Sequence, residues 1–191
     1  YRTEDEGAMA AAQLAATPGR LVFLYVPHVD FAAHVSGQES EEYAAAMRTA
    51  SSVWDQLGRR LDGATAVAIA DHGHVDIPEE RRIRIPTAAH TDRHFFGDAR
   101  ALFVRGRDPM ALAADLPATA VPIGRARSWF GPGPEHPAFT DRLPAAVLLA
   151  DPGHALLHRH ANDRLIGHHG GLTDEERLQQ VSDIGPVVSS H

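Results

Sequence analysis

Cysteine is absent from this chain, and so is lysine: all 18 basic residues are arginine. Without thiols there is no disulfide framework and no thiolate chemistry, and the compartment stays open, with the cytoplasm slightly favoured. Without lysine there is no Schiff-base catalysis. No apolar run approaches the roughly 20 residues needed to cross a bilayer, so no membrane partner is expected. The formal net charge of -7 is the opposite of the basic face that binds nucleic-acid polymers. A small phosphate substrate stays compatible with it, because a bound cation can reverse the local sign. There is no repeat, low-complexity tract or interdomain linker. The chain opens on Tyr1 with no initiator methionine and no signal-peptide pattern, as expected of a processed product or a piece of a longer protein.

What remains is the composition of an ordinary globular protein. With 191 residues, 43% hydrophobic and 23% charged, the sequence suits a single domain with a substantial core. Histidine stands out, at 13 residues.

Periodicity predicts alternating strands and helices. Residues 4–16 form a helix that Pro18-Gly19 stops. Leu21 to Val26 and Ala64 to Ala70 are short apolar runs with the length and flanks of buried strands. Between them, Ser40 to Leu61 is a helix capped by Ser40, with Glu41 and Glu42 at its positive end. Tyr43, Met47, Ala50, Trp54, Leu57 and Leu61 give it one apolar stripe. A right-handed parallel crossover is the expected connection. An Arg- and Pro-rich loop over 77–98 precedes a strand at Ala101 to Val104, a helix at Met110 to Leu116 and a short strand at Ala120 to Ile123. An irregular stretch, Trp129 to Pro137, leads to a further strand at Ala145 to Ala150. Thr173 and Glu176 form a capping box at the start of a last helix. The fold class is α/β, a mostly parallel sheet flanked by helices.

Three acid/histidine clusters sit where loops should begin: Asp30-Phe31-Ala32-Ala33-His34, Asp71-His72-Gly73-His74 and His168-His169-Gly170-Gly171. Carboxylate oxygens and imidazole nitrogens without thiolate are the ligand set of a hydrolytic zinc or manganese site. Asp30 and His34, four apart, share one face of a helix. If the two strands that precede the first clusters run parallel, both clusters leave the same sheet edge, where open α/β folds place their sites. His74 is a candidate for substrate contact or an outer role. His90 and His94 could form an auxiliary ion site or be solvated, and His154, His158 and His160 surround a strand end. Arg81, Arg82 and Arg84 are a charge run, either a solvated face or a phosphate dock.

In order and spacing, Tyr25-x-Pro27-x-x-Asp30-x-x-x-His34, then Ala70-Asp71-His72-Gly73, then His169-Gly170, resemble the alkaline phosphatase superfamily. The resemblance is closest to its type I phosphodiesterase/nucleotide pyrophosphatase branch, and the motifs spread from residue 25 to residue 171. It implies two divalent ions, zinc favoured and manganese possible in principle: Asp30, His34 and His169 around one, Asp71 and His72 around the other. His169 is preferred to His168 because the family histidine directly precedes the glycine. Three protein ligands would leave the first ion an open position. Two would leave the second ion short, and in the family an Asp and a Ser or Thr nucleophile from an earlier strand complete it. Nothing before Leu21 matches that strand, and the hydroxyls of Ser36, Thr87 and Thr91 match no family position, so no catalytic residue is assigned.

The expectation is therefore the carboxy-terminal part of an alkaline-phosphatase-like domain lacking its amino-terminal portion, with that missing half as a candidate partner. The implied activity is two-metal hydrolysis of a small phosphoester, first a nucleotide-type diester. Phosphomonoesterase, phosphonate hydrolase, sulfatase and phosphomutase activities share these ligands. The rival reading is a non-catalytic metal-binding or interaction domain that keeps the fold.

Overall fold

Local signals set the helices. The computed structural model describes residues 2–178 and the backbone of Val181–Ile184. Helix α1 (Glu4–Ala15) starts at Thr3, whose hydroxyl accepts from the Glu6 amide, and three acidic residues occupy its first turn. Helix α2 (His28–Ser36) follows Pro27. Helix α3 (Glu41–Arg60) is capped by Ser40, whose hydroxyl accepts from the Tyr43 amide at 3.1 Å. Contacts within the chain divide it into two compact units, Tyr1–Asp71 with Gln179–His191, and His72–Leu178.

In the first unit α1 and α2 both pack on α3. Their contact surfaces are small: Ala8, Ala11 and Ala12 of α1, Ala32 and Ala33 of α2, Ala46 and Val53 of α3 are the buried helical apolar residues. The buried face of α3 thus runs through Ala46 and Val53, one position off the expected stripe, and Met47 is exposed. Glu4 of α1 reaches His28 of α2 at 2.9 Å, and Asp5 accepts from Gln56 of α3. Strand β1 (Ala66–Ile69) pairs antiparallel with the late strand β10 (Val181–Ile184).

The second unit holds the larger core. Its elements are β2 (Val75–Asp76), β3 (Arg82–Arg84), β4 (Arg93–Asp98), β5 (Ala101–Gly106), α4 (Pro109–Ala113), β6 (Ala118–Pro122), α5 (Ile123–Ala126), α6 (Pro137–Thr140), β7 (Ala146–Ala150), β8 (Ala155–Leu157), β9 (Gly167–His168) and α7 (Asp174–Arg177). Four of the strands form one antiparallel sheet in the order β4-β5-β7-β6. Strand β7 is buried on both faces: Leu148 joins Leu102, Val104, Phe95 and Leu156 on one side, and Val147 joins Val121 and Ala126 on the other. Strand β3 runs parallel to β8, and β2 antiparallel to β9.

The α/β class stands, and two details differ from expectation. Among the described residues β3–β8 is the parallel pair and every other ladder is antiparallel, so the sheet is mixed rather than mostly parallel. Leu21 to Val26 joins no ladder among the described residues. Its side chains alternate, with Leu21, Phe23 and Tyr25 exposed and Val22, Leu24 and Val26 half-buried. A strand is buried only when other strands flank it and layers cover it, and none of the described strands pairs with this one. Among the described residues no parallel crossover from it to β1 is therefore paired. The Arg-rich stretch expected as a loop instead contains β3 and β4.

Candidate metal centre

Histidines 72, 74 and 169 are brought together by the β2–β9 ladder of the second unit. There Val75 lies opposite His168 and Asp76 opposite Gly167. Continuing that antiparallel register by one step sets His74 across from His169. His72, two residues before His74 on an extended chain, projects to the same face. The rings meet accordingly. His72 and His169 stack with centroids 3.7 Å apart and planes 13° apart, while His74 meets His72 at 5.1 Å and His169 at 5.3 Å, both edge-on. Each ring offers a nitrogen, and these nitrogens lie within 4.8 Å of one another.

His168 goes elsewhere. It is 5% exposed, and its Nε2 lies 3.2 Å from the Leu165 carbonyl, because neighbouring residues of an extended chain point to opposite sides. His74 is the residue sequence reasoning underrated; the signal was the one-residue spacing of His72-Gly73-His74, which aligns two imidazoles on any extended backbone.

In the first unit, α2 carries Asp30 and His34 one turn apart, with Oδ1 to Nε2 at 3.5 Å. Asp71 is exposed and is the last residue of that unit's leading stretch. Ser36 ends α2. Thr87 begins a 3-10 turn, and Thr91 lines an open concavity of about 370 Å³ with Asp92, Arg93 and Arg107, apart from the three histidines.

Other candidates have structural work. Arg82 donates from Nε to the Ile77 carbonyl at 2.8 Å and from Nη1 to the Asp163 carbonyl at 3.0 Å, while Arg84 pairs with the Asp163 carboxylate. These bonds tie β3 down, so two of the three arginines read as a solvated face or a phosphate dock are engaged within the chain. His90 packs edge-on against Phe95. Burial, then the charges of Arg159 and His160, push its pKa down. Burial likewise lowers His158, helped by His160, His90, His94 and Arg159. Among the described residues His90, His94, His158 and His160 do not gather three ligand atoms within the 4.8 Å that groups the other histidines.

Fit to a metal follows from the donor set. Three imidazoles presenting nitrogens to one small volume, with no thiol or lysine in the chain, suit zinc or another imidazole-seeking divalent ion. Such a set is costly to assemble without a cation, because concentrated lone pairs repel.

Fold and sequence pattern agree on a class: an α/β protein of the alkaline phosphatase superfamily. Residues 3–172 match the type I phosphodiesterase/nucleotide pyrophosphatase family, and the chain belongs to it. Among solved structures, murine ectonucleotide pyrophosphatase/phosphodiesterase 5 is similar at a TM-score of 0.69 and 16% identity, over 96% of this chain and 52% of that one. The human protein of the same name is similar at 0.69 and 13%, with the same coverage. An inactive form of the murine protein, in complex with AMP, is similar at 0.68 and 14%. At these identities the likeness is one of fold. The chain spans about half the length of these solved chains. No curated protein matches it by sequence.

Proposed function

We propose that this chain supplies metal ligands to a two-metal phosphoester hydrolase of the phosphodiesterase/nucleotide pyrophosphatase type. The observation that carries the reading is the trio His72, His74 and His169, assembled on one ladder of a chain whose family is established. In this reading Asp30, His34 and His169 hold one ion and Asp71 and His72 the other, with His74 at their side. The order of the motifs supports that assignment, as does the helical pairing of Asp30 with His34. Zinc is favoured over manganese because imidazole predominates.

Bound ions would supply Lewis acidity toward a phosphoryl oxygen and lower the pKa of a hydroxyl or water. The chain's own contribution is to present imidazole nitrogens from the β2–β9 ladder and carboxylates from the first unit. A nucleotide-type phosphodiester is the favoured substrate, in keeping with the AMP complex of the murine relative. No hydroxyl of this chain is assigned as nucleophile.

One observation favours a partner for catalysis. Phe23 and Leu21 are more than four-fifths exposed, and Ile69 and Val67 of β1 more than half. These exposed apolar positions suit covering strands from the remainder of an alkaline-phosphatase-like domain. The alternative is a non-catalytic metal-binding domain.

Zinc titration by calorimetry with metal analysis, followed by assay of nitrophenyl phosphate, phosphodiester and sulfate esters with and without the complementing half, tests the reading. Zinc binding together with diester cleavage in the complemented protein is expected. Zinc binding without cleavage of any ester would favour the non-catalytic domain, and no zinc binding would end the proposal.

A further inference from the structure

Glu176 and Arg100 form a buried ion pair that no chemistry proposed above uses. Each is 3% exposed or less. The contact is a fork, Nε to Oε1 and Nη2 to Oε2, both at 3.0 Å. Arg100 spends its remaining reach on the chain: Nη1 donates to the Asp151 carbonyl at 2.9 Å and to the His154 carbonyl. The carboxylate also accepts from the Gly171 amide at 2.8 Å and the Thr173 hydroxyl at 2.9 Å. Burial would raise the Glu176 pKa, and the bonds from Arg100, Gly171 and Thr173 reverse this, holding it below the usual carboxylate range.

A buried pair of this kind is weak evidence of stabilisation, because desolvating two charges offsets much of their attraction. What it does provide is placement. The Glu176 carbonyl accepts from the Gly73 amide at 3.0 Å, so a single residue grips both histidine segments. Its main chain holds the amide between His72 and His74, and its side chain holds the amide two residues after His169. At the far end the two segments are already joined through β2–β9 and the Ile77 amide to Ile166 carbonyl bond. His74 and His169 lie between these two closures, and His72 directly adjoins the Gly73 one.

The glycines record how close the grip is. A Cβ on Gly73 would sit 1.9 Å from the Glu175 carbonyl oxygen, and one on Gly171 would sit 2.5 Å from Glu176 Oε2. Both distances are impossible for a side chain, so Gly73 and Gly171 are set by the approach of α7, whereas Gly170 has a positive φ and faces Asp98. The capping box read from the sequence is thus one part of a larger device.

We infer that Glu176, locked by Arg100, is a positioning residue that fixes the separation of the His72-Gly73-His74 and His169-Gly170-Gly171 segments and so sets the metal affinity of the histidine trio. This rests on the metal-centre reading above. Conservative loss of such outer support lowers metal affinity by about 10- to 100-fold.

The test uses the full chain with Zn(II) calorimetry and Co(II) absorption as probes. Glu176→Gln should weaken Zn(II) binding by about 10- to 100-fold and alter the Co(II) d–d bands. It leaves Arg100 buried and unpaired, so it is accompanied by the double replacement Arg100→Met with Glu176→Met, which removes both charges at similar volume and should retain the thermal midpoint. The double variant should show the same metal defect with its far-ultraviolet circular dichroism intact. Arg100→Lys should not rescue, since an ammonium cannot reproduce the fork. If the natural chain binds Zn(II) and the folded double variant binds it equally with unchanged Co(II) bands, the positioning role is wrong and the metal centre survives. If the natural chain binds neither ion, both fall.

Discussion

The two units treat similar residues in opposite ways. In His72–Leu178, Leu102, Leu148 and Leu156 are fully buried and β7 is covered on both faces. In the first unit, Leu21 is 82% exposed, Phe23 87% and Ile69 70%. The residues are equally apolar. The difference is the presence of neighbours: β7 lies between β5 and β6, whereas Leu21 to Val26 pairs with no described strand. Apolar character makes a segment able to be buried, and covering layers as well as flanking strands decide whether it is: Ile69 is paired in β1 and still exposed.

The comparison can be broken most decisively in the core. Leu148→Ala should cost about 2–5 kcal/mol, whereas Phe23→Ala should stay within about 0.5 kcal/mol, as for surface positions. Urea unfolding of both variants measures the contrast, and an equal loss at Phe23 would mean that its ring is covered in solution. The metal centre comes next. His74→Ala should weaken Zn(II) binding at least about tenfold, comparable to loss of an outer partner or worse, with little change in the unfolding midpoint of the metal-free chain. Calorimetry beside the urea curve separates the two effects.

Acidity acts on identified groups of the second unit. His90 and His158 have folded pKa values below their ordinary value, so the unfolded chain takes up protons first. Their contribution is present above about pH 6.5 and is lost as pH falls through the folded values. Glu176, also depressed, adds a second loss below about pH 4.3. Urea midpoints between pH 8 and 4 should fall, and replacing His90 and His158 with Gln should flatten the upper limb. The smallest effect is expected on the surface. Arg48→Ala, which removes an exposed pair with Glu41, should shift stability by less than about 1 kcal/mol.

What the sequence made legible follows the same division. Helix α3 and its Ser40 cap, α1 with its stop at Pro18, the strands β5, β6 and β7, and the Thr173–Glu176 box all rest on signals within a few residues. Strands β3 and β4 were missed because Arg82, Arg84 and Arg93 look solvated until the Ile77 and Asp163 carbonyls that receive Arg82 are known. The site was legible in its residue types, and the motifs placed the chain in its family. His74 was underrated because its partnership with His169 depends on a ladder joining residues about ninety positions apart. Arg100 was invisible for the same reason: its carboxylate lies 76 residues away, and no local pattern distinguishes it from the other arginines.

The ribbon at Leu21 to Val26 carries one practical consequence. Alternating exposed and half-buried apolar side chains that join no described strand, without a charge between Arg20 and His28, are the features that let one molecule template another into cross-β aggregates. Solutions of this chain should therefore fail by concentration-dependent clouding before they fail by heat, and a single arginine introduced at Phe23 should postpone it.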